Sequence, residues 1–446
     1  MRRNDKMMST FTKPTRSNSG KKVAYTNARL IDPETGLDQL GGLMTVGNQI
    51  ADFGAGIFNA GTGDAEVIDC GGNVLAPGLL DIQVHFREPG QEYKETIETG
   101  SMAAAAGGVT TVATMPNTKP VVDDITVLAF LNKRAAETSY VNIRPYAAIT
   151  KGQKGEELTE MGMLVDAGAC GFTDDGLPVM NAQVMRQALT MGKMLGVPIA
   201  QHAEDHHLSC GGCMNEGWVA TKLGLKGIPN VSEAVIVARD ILLAELTGAH
   251  YHVLHISTRE AVDLVRWGKA RGVNVTAEVA PHHFILTDEA VIDYRTFSKM
   301  NPPLRAEKDR LALIEGLRDG TIDAIATDHA PHDADSKRVT MDLASFGIVG
   351  LETMLALSLR LVHEGHITLQ QALAAMTYKA ADIIHADAGR LRKGAPADLV
   401  LIDLNAEWTV SNDSLHSKSK NSPFDGAQLK GRAVRTVVGG EPVFIV

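Results

Sequence analysis

Cysteine is scarce: there are four in 446 residues, and only Cys210 and Cys213 lie close together. That excludes a disulfide framework and points to a reducing cytosol. Cys210 and Cys213, near His206 and His207, resemble half of a structural zinc site, but no second pair completes it. They read as a Gly-rich loop with two free thiols. Positive charge is also lacking. The net charge of -10 argues against general nucleic-acid binding and supplies no overall attraction for an anionic substrate, so local cations must do so. No apolar run approaches the roughly 20 residues of a membrane span. The first 21 residues lack the apolar core of a secretory signal. Their Arg and Ser content faintly suggests a transit peptide, but Asp5, Pro14 and the missing apolar face favour a disordered tail.

What is present is ordinary for a soluble globular chain: 44% hydrophobic and 22% charged residues, over a length that suits one large barrel plus a smaller domain. Short strand-like segments with Asp-Pro, Thr-Gly and Gly-Gly punctuation fill 23–31, 42–53 and 66–74, and similar segments return at 398–403 and 433–446. The Gly439-Gly440 pair predicts a hairpin. The expected organisation is a tail over 1–21, a small β-sandwich domain built from 22–78 and 388–446, and a central unit over 79–387. In the centre, eight candidate strands (79–86, 109–115, 141–149, 168–175, 197–204, 250–257, 273–281 and 322–329) alternate with helical stretches such as 93–106, 124–137, 156–167, 232–246 and 259–271. Repeating units of this kind predict an α/β fold with a closed (β/α)8 TIM-like barrel.

Such a barrel carries its chemistry at the C-terminal ends of the strands. The stretch 79–90, LLDIQVHFREPG, ends on His85 and Arg87. Later strands end on or near Asn117, on Asp174-Asp175-Gly176, on His202 with Glu204, on His255, on His282-His283, and on Asp328 with His332. A single strand-end histidine is usually a hydrogen-bonded structural residue. Several converging on one mouth, without cysteine, suit Zn²⁺ or a similar divalent ion at an open site.

Taken in order, DIQVHFREPG, MPNT, FTDDG, HAED, LHIST, NPPLR, ATDHAPH and FGIVGLET, with KSKNSPF near the end, resemble the type I dihydroorotases of the amidohydrolase superfamily. The likeness runs from about residue 22 to the end of the chain. The His-x-Arg-x-Pro-Gly pattern favours that family over allantoinases and hydantoinases. The resemblance implies that His85, Asp175, His202, His255 and Asp328 hold metal, with Asp175 as the bridging ligand and Asp174 turned to the other side. Lys151 and Lys154 are read as loop residues rather than as a carboxylated bridge. It further implies reversible closure of N-carbamoyl-L-aspartate to L-dihydroorotate in pyrimidine synthesis, with Asp328 as the catalytic proton carrier. Arg87, Asn117 and His332 would bind the substrate carboxylate. Asn301 and the backbone of Phe346 and Gly347 would read the ring amide. His85 is assigned to both the metal-binding and the substrate-binding groups. Assembly as a homo-oligomer, or with aspartate carbamoyltransferase, is expected from the resemblance alone; a cytoplasmic location is expected from the cysteine usage.

Two positions depart from the family pattern. Gln83 stands where a histidine is usual, and Ser345 where proline often precedes Phe-Gly. An amide oxygen is a poor zinc ligand beside imidazole or carboxylate. The expectation is therefore one or two Zn²⁺ per chain, with the position beside Gln83 weakened and the Asp175, His202, His255 position whole. Gln83 also favours a rival reading, a catalytically weak chain that scaffolds aspartate carbamoyltransferase. His282 and His283 are assigned a packing or supporting role.

Overall fold

The computed structural model describes residues 9–15 and 20–446. Eight strand positions close a parallel barrel. Leu79–Val84, Val109–Thr114 and Asn142–Pro145 pair in sequence. Phe172 bridges Ala147 on one side and Ile199 on the other. Ile199–Gln201, Tyr251–Val253, Val275–Val279 and Ala324–Ile325 follow in parallel register. The ring closes where Val84 bridges His329 and the His85 amide donates to the His329 carbonyl. Asp81 strengthens this seam by accepting from the Thr327 amide at 3.0 Å and from the Thr327 hydroxyl.

The fourth strand, expected over 168–175, is reduced to the Phe172 bridge. Gly171 explains part of this, since a Cβ there would lie 2.5 Å from the Tyr146 ring. The chain passes too close to its neighbour to make a regular ladder. The remaining strands are also shorter than their apolar runs suggest, because the last residues of each leave the ladder to form the mouth. At the seventh, Pro281 starts a short helix, Pro281–Ile285, instead of ending the strand.

The helices begin where side-chain caps allow. Thr96 and Thr99 form a reciprocal capping box at Ile97–Ala106, and Asp124 caps Ile125–Thr138. Inside the barrel, Leu80, Ile82, Ala113, Met115, Tyr146, Cys170, Ala200 and Ala324 pack together with Ala380 and Ile383 from the helix Tyr378–Ile383.

The two chain ends share one sheet. Its hydrogen-bonded path runs Thr10–Phe11, Glu441–Ile445, Gln428–Val438, Leu399–Thr409, Val74–Pro77, Lys22–Asp32, Leu37–Val46, Gln49–Gly54, with Glu66–Asp69 joined to Lys22–Asp32. Alternation along Leu399–Thr409 decides what each face covers. Leu399 and Leu401 enter the core of the small domain, while Val400 and Ile402 pack with the barrel.

Two sequence expectations change here, and a third holds. The single strand over 42–53 is a hairpin, broken where Gly47 takes a φ of 57°. The last segment is also two strands, joined at Gly439 and Gly440, both left-handed, as the hairpin signal predicts. Part of the tail expected to be disordered is a strand: Thr10–Phe11 pairs with Phe444 and Ile445, and the Phe11 ring meets Phe444, Tyr140 and His416. An unpaired sheet edge and an apolar notch supply what a polar segment cannot supply for itself. The rest of that tail, 1–8 and 16–19, lies outside the described residues.

Between the last two long strands the chain returns to the barrel mouth. Ser417 and the Lys418 amide donate to the buried Glu95 carboxylate, and Asn421 bonds the Ala330 and Gly347 carbonyls at 3.1 and 3.0 Å. Among the described residues no helix is long and apolar enough to cross a membrane.

Candidate active site

The strand ends surround a cavity of about 220 Å³. It is lined by all the residues expected there (His85, Arg87, Asn117, Asp175, His202, His255, Asn301, Asp328, His332, Phe346 and Gly347), with Gly176 and Ala330 added. A cleft of about 390 Å³ beside Glu352 and Trp408 is larger. It carries no comparable ligand set: the two groups able to hold a metal ion, among the described residues, are Asp175 with His202 and His255, and Asp175 with His85 and Asp328.

Asp175 joins them. Its Oδ1 lies 3.3 Å from His255 Nε2 and 3.7 Å from His202 Nδ1, and its Oδ2 lies 3.2 Å from His85 Nε2. His85 Nε2 is also 3.0 Å from Asp328 Oδ1, and His202 Nδ1 is 3.0 Å from His255 Nε2. The residues are buried, and Asp175 is held well below the usual carboxylate range. Burial pushes it up, but the hydrogen bond to His255 and the charges of His85, His255 and His202 outweigh it.

The backbone is arranged to aim these side chains. Arg87, His255 and Asp328 have φ of 56°, 32° and 48°, left-handed values that L-residues rarely adopt. Such conformations persist only where surrounding contacts impose them. Gly347 is required at φ 124°, because a Cβ would lie 2.6 Å from the Ala330 Cβ.

Asp174 faces away. It accepts from the Thr150 amide at 3.0 Å and from the Thr150 hydroxyl. Burial raises it from 3.8 to about 6 against those hydrogen bonds. Removing it as Asp174→Ala leaves the Thr150 donors unpaired, so denaturant unfolding should show a loss of about 1–3 kcal/mol with metal content unchanged. The raised value also carries a sign. Its contribution to stability is complete below 3.8 and fades as pH rises through about 6. The variant lacks that component of the pH profile.

Lys151 and Lys154 are exposed, and Lys151 pairs with Glu157. Cys210 is exposed and Cys213 buried; both are free.

Several partners were not legible in the motifs. Asn117 Oδ1 accepts from His85 Nδ1 at 2.9 Å, which leaves the Nε2 lone pair facing the carboxylates. Glu204 plays the matching part at His202. It lies 3.0 Å from His202 Nε2 and accepts from Asn301 Nδ2 at 2.6 Å. Burial raises the Glu204 carboxyl, but these contacts hold it well below its ordinary range. His283 donates to the Pro302 carbonyl at 2.9 Å, beside Asn301. Burial holds His282 well below its ordinary value and His283 down at about 3, so both are neutral.

Arg87 is 8% exposed, with Nε 3.3 Å from the Pro331 carbonyl and Nη2 3.4 Å from His332 Nε2. Among the described residues no carboxylate lies within ion-pair distance of it. Burial, opposed by Asp328 and Asp175, brings the guanidinium down to about 10, so it stays charged. Burial and the Arg87 charge push His332 down to about 2. It is a neutral acceptor beside Arg87.

Gln83 is fully buried, and neither its Oε1 nor its Nε2 has a hydrogen-bond partner among the described residues.

Comparison with known proteins agrees with this geometry. The family model described as Dihydro-orotase-like matches residues 72–261, and that of the Amidohydrolase family matches 347–444. A dihydroorotase of Wolbachia sp. subsp. Drosophila simulans (strain wRi) is 58% identical over 95% of this chain and 96% of its own length. One from Geotalea daltonii is 51% identical over 94% and 99%. Among solved structures, the L-hydantoinase (dihydropyrimidinase) from Arthrobacter aurescens superposes with a TM-score of 0.85 at 25% identity, covering 94% of this chain and 95% of that one. The fold is thus shared with a solved hydantoinase, the curated relatives at 51–58% identity are dihydroorotases, and the chain belongs to the dihydroorotase family of the amidohydrolase superfamily.

Proposed function

We infer that this chain is a working dihydroorotase, a cyclic amide hydrolase that interconverts N-carbamoyl-L-aspartate and L-dihydroorotate in pyrimidine synthesis. The carrying observation is Arg87: a buried guanidinium at the pocket wall with no carboxylate in ion-pair distance among the described residues. Such a group suits an anionic ligand, and its planar fork matches a carboxylate. An uncharged hydantoin ring would leave it unpaired. That separates this reading from the ring hydrolases that share the barrel.

The residues fit a divalent metal, and zinc is the ion proposed. Two imidazole nitrogens and a carboxylate oxygen converge at one position, and His85 Nε2 with two carboxylates at the other. His202 Nδ1 and His255 Nε2 lie 3.0 Å apart. Nitrogens so oriented suit a shared cation. Asp175, His202 and His255 would hold one ion; His85, Asp175 and Asp328 would hold a second, weaker one, because Gln83 offers no imidazole. When bound, the metal supplies Lewis acidity that brings water toward ionisation near neutral pH and draws electron density from the ring carbonyl.

The chain's own residues do the rest. In ring opening Asp328 takes the proton of the attacking water and passes it to the ring nitrogen as the C–N bond breaks. In closure it takes the ureido proton, and water is lost from the substrate carboxyl. Arg87 and His332 hold the other carboxylate. Asn117 orients His85 and borders the same pocket. Asn301, with the Phe346-Gly347 backbone, faces the ring amide. In this reading 79–387 is the catalytic unit, 22–78 with 388–446 is its flanking β domain, and the protein acts in the cytoplasm. Assembly as a homo-oligomer, or with aspartate carbamoyltransferase, belongs to the same proposal.

The test is turnover of dihydroorotate by the purified, zinc-loaded chain, followed by ring absorbance. No turnover leaves the scaffold reading, which Gln83 favours, in its place. Equilibrium metal analysis should find one tightly held ion per chain, and Gln83→His should add a second. Two tightly held ions in the parent would refute the weakened position.

A further inference from the structure

Lys337 is 1% exposed, and no carboxylate pairs with it among the described residues. It lies in the short helix Ala334–Lys337, beyond the end of the eighth strand. Its ammonium donates to three carbonyls: Lys299 at 3.1 Å, Ser345 at 2.7 Å and Gly347 at 3.0 Å. These carbonyls belong to the two segments that carry the ring-facing groups, Asn301 and Phe346-Gly347.

Other bonds converge on the same peptides. The Gly347 amide donates to the Lys299 carbonyl at 3.0 Å, and the Gly347 carbonyl also accepts from Asn421 Nδ2 at 3.0 Å. Asn421 Oδ1 accepts from the His332 amide at 3.1 Å. The Lys299 ammonium lies 4.3 Å from the centre of the Phe346 ring and donates to the Met341 and Asp342 carbonyls at 2.8 and 3.0 Å.

Burying an ammonium without a counter-ion is costly, and an apolar side chain would fill the space for less. Geometry matches the group to its place: an ammonium has three N–H donors, and Lys337 Nζ meets three carbonyls from two separate segments. We propose that Lys337 is a positioning residue for substrate recognition. With Asn421 it clasps the Gly347 peptide and the Lys299 segment, so the ring-facing wall is in place before substrate arrives. Lys337 touches neither metal ligand nor substrate, so its contribution falls on binding rather than on proton transfer. The proposal rests on the dihydroorotase reading for the identity of what is bound, but not for the clasp itself.

Two variants of the full-length, zinc-loaded chain test it: Lys337→Met, which removes the ammonium, and Asn421→Ser, which withdraws a second donor from the same carbonyl. Hydrogen exchange is read on peptides covering 299–301 and 345–349, and steady-state kinetics on dihydroorotate. Exchange in those peptides should speed up while the barrel strands stay protected. KM should rise about tenfold in Lys337→Met, with kcat within about threefold of the parent and metal content unchanged. Asn421→Ser should move both readouts in the same direction by less. If Lys337→Met does not fold, Asn421→Ser decides. Faster exchange with KM unmoved would reduce the clasp to a structural tie and overturn the proposal, as would a fall in kcat alone or unchanged exchange in a folded variant. If the parent itself shows no turnover, the functional reading fails, and exchange at 345–349 still decides whether the clasp exists.

Discussion

Arg87→Met lowers kcat/KM for dihydroorotate by about 10²–10⁴, from the loss of two charge-assisted hydrogen bonds at roughly 1.5–3 kcal/mol each. Metal content is expected to stay level, because Arg87 bonds only the Pro331 carbonyl and His332 and none of the five candidate ligands. Stability should hold as well. Removing a buried charge that has no carboxylate in ion-pair distance among the described residues takes away a desolvation cost and breaks no ion pair. The loss of activity therefore cannot be assigned to unfolding, and thermal denaturation of the variant checks this. Arg87→Lys should recover only part of the loss, since a point charge does not reproduce the planar fork. A selectivity measurement sharpens the result. Relative to dihydroorotate, an uncharged ring such as dihydrouracil should become a better substrate for Arg87→Met than for the parent. A variant with unchanged kcat/KM would remove Arg87 from substrate recognition and with it the main distinction from the hydantoinases.

The second large effect is expected at Asp328. Asp328→Asn keeps the shape and one oxygen but loses the proton acceptor, so kcat should fall about 10²–10⁴-fold, the usual range for general acid–base catalysis. The residue is 5% exposed, its Oδ1 is 3.0 Å from His85 Nε2, and its backbone is left-handed at φ 48°. Its aim is set by the scaffold, so an isosteric replacement should occupy the same place. Because Asp328 is also a candidate ligand at the proposed weaker metal position, the variant must be assayed with its metal content measured. Loss of kcat with the Asp175, His202, His255 ion retained assigns the effect to proton transfer. A variant that keeps kcat within about tenfold would remove Asp328 from that role.

The parts of the site legible in the chain were those that strand ends carry as side chains. His85, Asp175, His202, His255 and Asp328 lie at one level because parallel strands end at one mouth, and apolar runs mark where each strand begins. What was not legible has three physical causes. Backbone acceptors leave no mark on residue identity, so the three carbonyls that hold Lys337 could not be anticipated. Side-chain commitments depend on rotamer: Asn117 is expected from its motif to bind substrate, yet its oxygen is engaged by His85. Pairing can also be imposed from outside a segment, as where the Glu441–Ile445 edge recruits Thr10–Phe11. The fourth strand shows the opposite error. Its apolar pattern is real, but the close passage of Gly171 past Tyr146 leaves Phe172 alone to bridge the gap. Gln83 was visible as a departure from the family pattern, but that its amide would lie buried without a partner was not.

The return of 417–421 to the barrel mouth has a consequence for how the protein comes into being. Every candidate metal ligand lies before residue 330, and so do both sides of the barrel seam between Val84 and His329. The wall depends on later residues: Asn421 ties Gly347 to Ala330, and Ser417 and Lys418 cover Glu95. A growing chain thus holds every candidate ligand well before it holds the segment that fastens the wall.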